Sequence, residues 1–227
     1  KDVVSKMIAG ELTAEQAYEA FNAQLLADEE SADNETVLTS GKGYSNVFHA
    51  NGGNAAFSVM ANTLRGVYGT DVLLATANSF TGSVLQADYN QKMAASMIMP
   101  NGLMSRQRTM TGAELKETVR AFVEGCEGGF VPFNRGSLPV VSGIAVEVKE
   151  ANGSYTLAGI TRNGQPLGDG DTVTVTCLAT EKQMEALLAS DSGTSAGEDA
   201  WVKSTWTDYV SGGKAVLAEP ENYMTLR

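Results

Sequence analysis

One histidine, two cysteines and two closely spaced arginines bound the chemistry open to this sequence. His49 is the only histidine. A Ser-His-Asp or Cys-His nucleophile system would have to run through it. A two-metal hydrolytic centre, which draws on several imidazoles together with carboxylates, cannot be built from one. Cys126 and Cys177 are the only cysteines. They lack Cys-x-x-Cys spacing, which excludes zinc-finger and thioredoxin chemistry. They form either one disulfide or two buried thiols, and the apolar strand pattern around Cys177 favours the thiols. There is no Gly-x-Ser-x-Gly nucleophile elbow and no paired-carboxylate motif. No residue is therefore assigned a catalytic or metal-ligand role, and the remaining chemistry is binding. Arg106 and Arg108 fall on one face of a strand pattern. A guanidinium fork there suits a phosphate or carboxylate oxygen pair, or simply a solvated strand face. Asp199 stands just before a helical pattern, where a carboxylate N-caps the helix.

The elements that must position these residues are legible from caps, periodicity and turns. Thr13 and Gln16 form a capping box for a helix within residues 1–28, with Ala17, Phe21 and Leu25 on one stripe. Residues 28–35 are an acidic, solvated linker; a calcium loop would need a glycine that is absent. Residues 52–68 read as a helix burying Phe57, Met60, Ala61, Leu64 and Val67, with Gly69 at its end. The apolar run from Asp71 to Ala77 is a buried strand. Thr111 and Glu114 form a second capping box, opening a helix to about Gly125. A glycine-rich loop covers 128–137, and residues 139–149 alternate as a strand. Asn152-Gly153 and Asn163-Gly164 are hairpin turn signals. Thr172 to Cys177 is a further strand. Thr180 and Gln183 cap a helix through Leu188. A Ser/Gly loop at 191–198 then leads to a helix carrying Trp201, Trp206 and Tyr209.

Composition narrows the partners. With 227 residues and a net charge of −11, the chain is globular and acidic, which argues against nucleic-acid backbones, whose recognition needs clustered Lys and Arg. A small nucleotide is still compatible with a locally positive site. No apolar run approaches the roughly 20 residues of a membrane span.

One stretch carries a resemblance. Pro100, Gly102, the run Thr111-Gly112-Ala113-Glu114-Leu115 and the run Val140-Val141-Ser142-Gly143 resemble, in type and spacing, the C-terminal domain of the 5'-nucleotidase and UDP-sugar hydrolase family. Leu64-Arg65 followed by Gly69-Thr70-Asp71-Val72 is similar to that domain's start, and the likeness runs from about Gly52 to Arg227. It implies an α+β fold, a mixed β-sheet with packed helices, in a domain over 51–227. Residues 1–50 are then an N-terminal helical extension and acidic linker. It also implies a nucleotide or nucleoside recognition domain, not catalytic alone. Two divalent metals belong only to a separate N-terminal metallophosphoesterase domain of a longer parent chain, and this chain itself needs no cofactor. An extracellular, cell-surface or periplasmic location follows.

The resemblance also names a cleft. Asn78 and Gly82 stand in the family's phosphate turn, which here lacks the arginine. Asn101 stands near the second motif's asparagine, and Arg106 follows on the strand. Leu138 takes the place of one ring of the base clamp, with Phe130 and Phe133 in the loop before it. Asp199 keeps an aspartate that would accept from ribose hydroxyls, and Trp201 keeps the aromatic after it. The family's arginine and both clamp rings are missing at the matched positions. The alternative reading is therefore a non-enzymatic surface binding or interaction module that kept the scaffold and changed its ligand.

Overall fold

The computed structural model describes residues 6, 9–13, 16–17, 19–20, 35–46, 53–99, 102–124, 139–151, 154–181, 183–184, 193–213, 215–221 and 223–226. Near the start, the first capping box forms: Thr13 N–H donates to Gln16 Oε1 (2.9 Å) and Gln16 N–H to Thr13 Oγ1 (3.2 Å). Beyond the acidic run the chain enters strand β1 (Leu38–Ser40), so residues 38–46 are strand and loop rather than helix. Leu38 is buried in the same core as the rest of the domain.

Helix α1 (Ala55–Tyr68) is the central element. Asn54 Oδ1 accepts from Phe57 N–H (3.0 Å), and Gly69 closes the helix at φ +66°, a conformation glycine enters without a Cβ penalty. Every residue from Ala56 to Leu64 is buried, including Ser58, Asn62 and Thr63. Those three polar side chains are satisfied by the backbone of 218–221. Ser58 Oγ donates to Glu221 O, Asn62 Nδ2 donates to Glu219 O, and Thr63 Oγ1 accepts from Ala218 N–H. An irregular segment is thereby held against a helix face without orphaned amides. Val67, expected on the buried face, is only half-buried.

The main sheet starts with β2 (Val72–Thr76), followed by a 3₁₀ turn at Ala77–Ser79. Next come β3 (Ala87–Tyr89), which pairs with β1, and the short helix α2 (Gln91–Ala95). Strand β4 (Met104–Thr111) runs straight into α3 (Gly112–Glu124) through the predicted box, with Thr111 N–H on Glu114 Oε2 at 2.7 Å. The single strand expected over 139–149 is two: β5 (Pro139–Ser142) and β6 (Ala145–Ala151), in different sheets. Gly143 at φ +82° makes the break. β6 pairs antiparallel with β7 (Ser154–Arg162), as the 152–153 turn signal implied. Asn163 (φ 52°) and Gly164 (φ 76°) form the left-handed pair of a type I′ hairpin into β8 (Gln165–Pro166). β9 (Thr172–Ala179) runs two residues longer than expected. After it, Gln183 Oε1 accepts from Thr180 N–H (3.2 Å) and Thr180 Oγ1 (2.9 Å), and residues 185–190 of the expected helix lie outside the described residues. The Ser/Gly loop contains a strand, β10 (Thr194–Ser195), and a second one, β11 (Ala200–Trp201), precedes α4 (Val202–Ser211). β12 (Met224–Leu226) joins β6 in parallel.

The result is an α+β fold. The mixed sheet has the order β10–β4–β9–β2–β5, with β11 also on the outer edge of β4. A second sheet has the order β12–β6–β7–β8. Cys177 is fully buried on β9; Cys126 lies outside the described residues. Among the described residues no helix is long and apolar enough to cross a membrane.

Candidate functional site

Strand register brings Arg106 and Trp201 toward one end of the main sheet. β2 and β9 are parallel, β4 is antiparallel to β9, and Leu74, Cys177 and Arg106 lie level across the three strands. Toward the carboxyl ends of β2 and β9 come Thr76, Met104 paired with Ala179, and Trp201 paired with Met104. Asn78 sits exposed in the 3₁₀ turn just past β2. Three strand spacings separate it from Trp201, about 14 Å of sheet edge. Only an extended ligand would touch both.

The turn after β2 is stitched down. Ser79 O accepts from Met99 N–H (3.0 Å), Thr81 N–H donates to Met97 O (3.1 Å), and Phe80 pairs with Ile98. Gly82 is exposed at φ +57°, so a left-handed turn requires it there. The Ser79 hydroxyl is wholly buried and has no partner among the described residues. Asn101, Phe130, Phe133 and Leu138 lie outside the described residues.

At the other end of this edge, Arg106, Asp199 and Trp201 form one group. Thr194 and Ser195 pair with Thr109 and Arg108; Ala200 and Trp201 pair with Ser105 and Met104. Residues 196–199 therefore make a four-residue excursion opposite Arg106 and Gln107. The excursion is fastened by Ala196 N–H on Gln107 O and by the Asp199 carboxylate on Arg106. Arg106 Nε lies 3.0 Å from both carboxylate oxygens, and Nη2 bonds Oδ2. This hydrogen bond, with weaker attraction from Arg106 and Arg108, holds the Asp199 carboxyl below its ordinary value. Asp199 is not the helix cap: α4 is capped at Trp201 without a side-chain hydrogen bond. Because alternate strand residues share a face, Trp201, Met104, Arg106 and Asp199 lie on one side of the sheet. Trp201 is 55% exposed, whereas Trp206 is buried with its Nε1–H on Ala94 O (2.7 Å).

No three His, Cys, Asp or Glu side chains among the described residues come together as a metal-ligand set. The donor chemistry at the Trp201 edge, one carboxylate already spent on a guanidinium, does not fit a divalent ion. Sequence reasoning missed that the arginine and aspartate would engage each other. The signal was indirect: β10 hides inside a Ser/Gly loop whose composition gave no strand pattern.

No protein-family model and no curated protein matches the sequence. A 5'-nucleotidase precursor from Thermus thermophilus superposes with a TM-score of 0.65 at 13% identity, over 94% of this chain and 43% of that one. The fold is that of the C-terminal domain of 5'-nucleotidase structures. The sulfate thiohydrolase SoxB of Thermus thermophilus gives 0.64 at 15% identity, covering 96% and 40%. The NAD nucleotidase of Haemophilus influenzae gives 0.60 at 16% identity, covering 92% and 41%. This chain thus spans less than half the length of each of those chains. Proteins named for different reactions share the fold, so the fold alone does not name a substrate.

Proposed function

We propose that this chain is the ligand-recognition domain of a 5'-nucleotidase-like phosphohydrolase and that it binds the nucleoside end of a nucleotide. The observation that carries the reading is Trp201: a large aromatic face more than half exposed, on the same sheet face as the Arg106–Asp199 pair, at the strand ends. Base stacking on one aromatic contributes about 1–3 kcal/mol. With one or two hydrogen bonds, such a site binds in about the millimolar range. Asn78 and Gly82 would line the far end of the same edge. Catalysis belongs to a separate metal-bearing domain of a longer parent chain, where two divalent metals would supply an activated water. This chain's residues bind and orient. By the same likeness, the parent acts outside the cytoplasm.

A second reading rests on a specific observation. The Asp199 carboxylate that would accept from ribose hydroxyls is already taken by Arg106. That favours an interaction module with a changed ligand.

A tryptophan-fluorescence titration separates the two. Trp206 is buried, so of the two indoles only Trp201 is open to direct contact with a ligand at the edge. A saturable change with adenosine or AMP that vanishes in Trp201→Phe supports nucleoside recognition. A flat response up to about 10 mM from folded protein refutes it for this chain and leaves the interaction module.

A further inference from the structure

We propose that the cleft between Arg65 and Arg162, at the end of the main sheet opposite Trp201, is a binding site for a small oxyanion, a carboxylate or phosphate group. The cleft has a volume of about 410 Å³ and lies where the end of α1, the start of β2, the Gly143 break and the β7–β8 turn meet. The five residues of β2 separate it from the Trp201 edge, about 17 Å at strand rise. It is independent of the nucleoside reading.

Both guanidinium groups are fixed from behind. Arg65 Nε donates to Ser142 Oγ (2.7 Å), and this fully buried hydroxyl donates in turn to Asn62 Oδ1. Arg162 Nη2 bonds Asp71 Oδ1, while Asp71 Oδ2 accepts from Thr174 N–H (2.9 Å) and Thr174 Oγ1 (3.0 Å). Asp71 is therefore held in place by three hydrogen bonds. Among the described residues, Arg65 Nη1 and the Nε and Nη1 of Arg162 make no hydrogen bond. Donors in a fixed planar fork match a carboxylate or phosphate oxygen pair.

Of the two carboxylates on these arginines, Glu221 is the more weakly held. Its carboxylate reaches Arg65 Nη2 at only 3.4 Å, and its side chain is 48% exposed. Such a rim pair is weak and easily displaced. Displacing it leaves Arg65, Arg162 and Asp71 facing the ligand with one net positive charge. Binding here is a local effect, because the chain's net charge of −11 offers no long-range steering to anions.

The test is a titration of the ¹⁵N-labelled chain with inorganic phosphate and, separately, with succinate, each up to about 20 mM. Saturable amide shifts centred on Gly69, Gly143 and Gly164 are expected for at least one probe, and the tighter probe identifies the class. Arg162→Gln should raise Kd about tenfold. That variant also costs Asp71 its guanidinium partner and lowers stability. Glu221→Gln supplies the test that a folding defect cannot mimic, because removing the competing carboxylate should lower Kd about threefold. The proposal is overturned by shifts that fail to saturate for both probes. Shifts centred on Trp201 or Asn78, or a Glu221→Gln variant that binds no tighter, overturn it equally.

Discussion

Asp199→Asn perturbs loop anchoring and ligand preference through one atom. The wild-type carboxylate receives Arg106 Nε at 3.0 Å on both oxygens and Nη2 on Oδ2. The two side chains are 28% and 33% exposed, so the pair sits between the solvent-screened and buried limits. An exposed pair contributes about 0.2–1 kcal/mol. A charge-assisted hydrogen bond shielded from water contributes about 1.5–3 kcal/mol. A third of full exposure places the expected loss near 1 kcal/mol. Asparagine keeps the shape but drops the charge and turns an amide donor toward a guanidinium donor. Arg106→Gln should cost a similar amount, and the double variant should fall short of the sum by about 1 kcal/mol. Urea unfolding of the four proteins measures this coupling. Acid supplies a second readout. Because the folded carboxyl is held below its ordinary value, its stabilisation is complete above the unfolded value, about pH 3.9, and is lost as pH falls through the folded one. The wild type should therefore lose more stability on acidification below about pH 4 than Asp199→Asn does. Losses that add within about 0.4 kcal/mol, with identical acid limbs, refute the latch. On the ligand side, releasing Arg106 should improve AMP relative to adenosine by about fivefold or more. An unchanged ratio refutes the placement of Arg106 at the ligand edge.

Two other changes probe the scaffold. Trp206→Phe removes the donor to Ala94 O and part of a wholly buried ring, and should cost about 2–4 kcal/mol by chemical denaturation. Glycine substitutions should split in sign. Gly143→Ala places a Cβ 2.0 Å from Asp71 O at φ +82°, so it should destabilise by about 2 kcal/mol or more. Gly66→Ala, exposed within α1 with nothing within 4 Å, should stabilise by about 0.5–1 kcal/mol; thermal melts of both variants check the contrast.

Local chemistry made much of the fold legible. The boxes at Thr13 and Thr111, the left-handed end at Gly69 and the Asn163-Gly164 turn all stand where their residue types require. What escaped were features with no local signature. β1, β3 and α2 are three to five residues long and owe their shape to tertiary pairing. The 139–149 alternation continues through Gly143, and only the close approach of Asp71 O shows why the chain must turn there. The wiring around Arg106 was not legible in the sequence. Arg106, Asp199 and Trp201 lie on neighbouring strands, with Asn78 three strand spacings away. Whether Arg106 meets a ligand or Asp199 depends on the register of β10 and β11 against β4, which composition does not encode.

Three arginines follow one rule with different strictness, and the difference ranks what each can bind. On an acidic chain, each is answered by an internal carboxylate. Arg106 meets both oxygens of Asp199. Arg162 meets one oxygen of an Asp71 that Thr174 also holds. Arg65 meets Glu221 only at 3.4 Å across an exposed rim. A ligand anion must displace the internal carboxylate or share the arginine with it, so its affinity falls as the internal contact tightens. Arg65 is thus the easiest to recruit and Arg106 the hardest. The Trp201 edge, with its guanidinium already neutralised, should select on flatness and hydrogen bonding rather than on charge, so adenosine should bind there about as well as AMP. The cleft at the opposite end should select on charge and be indifferent to the base. A nucleotide series from nucleoside to triphosphate, read at Trp201 by fluorescence and at Gly143 by amide shift, should therefore give a flat profile at the first probe and a charge-graded one at the second. Parallel profiles at the two probes would show a single site and defeat the ranking.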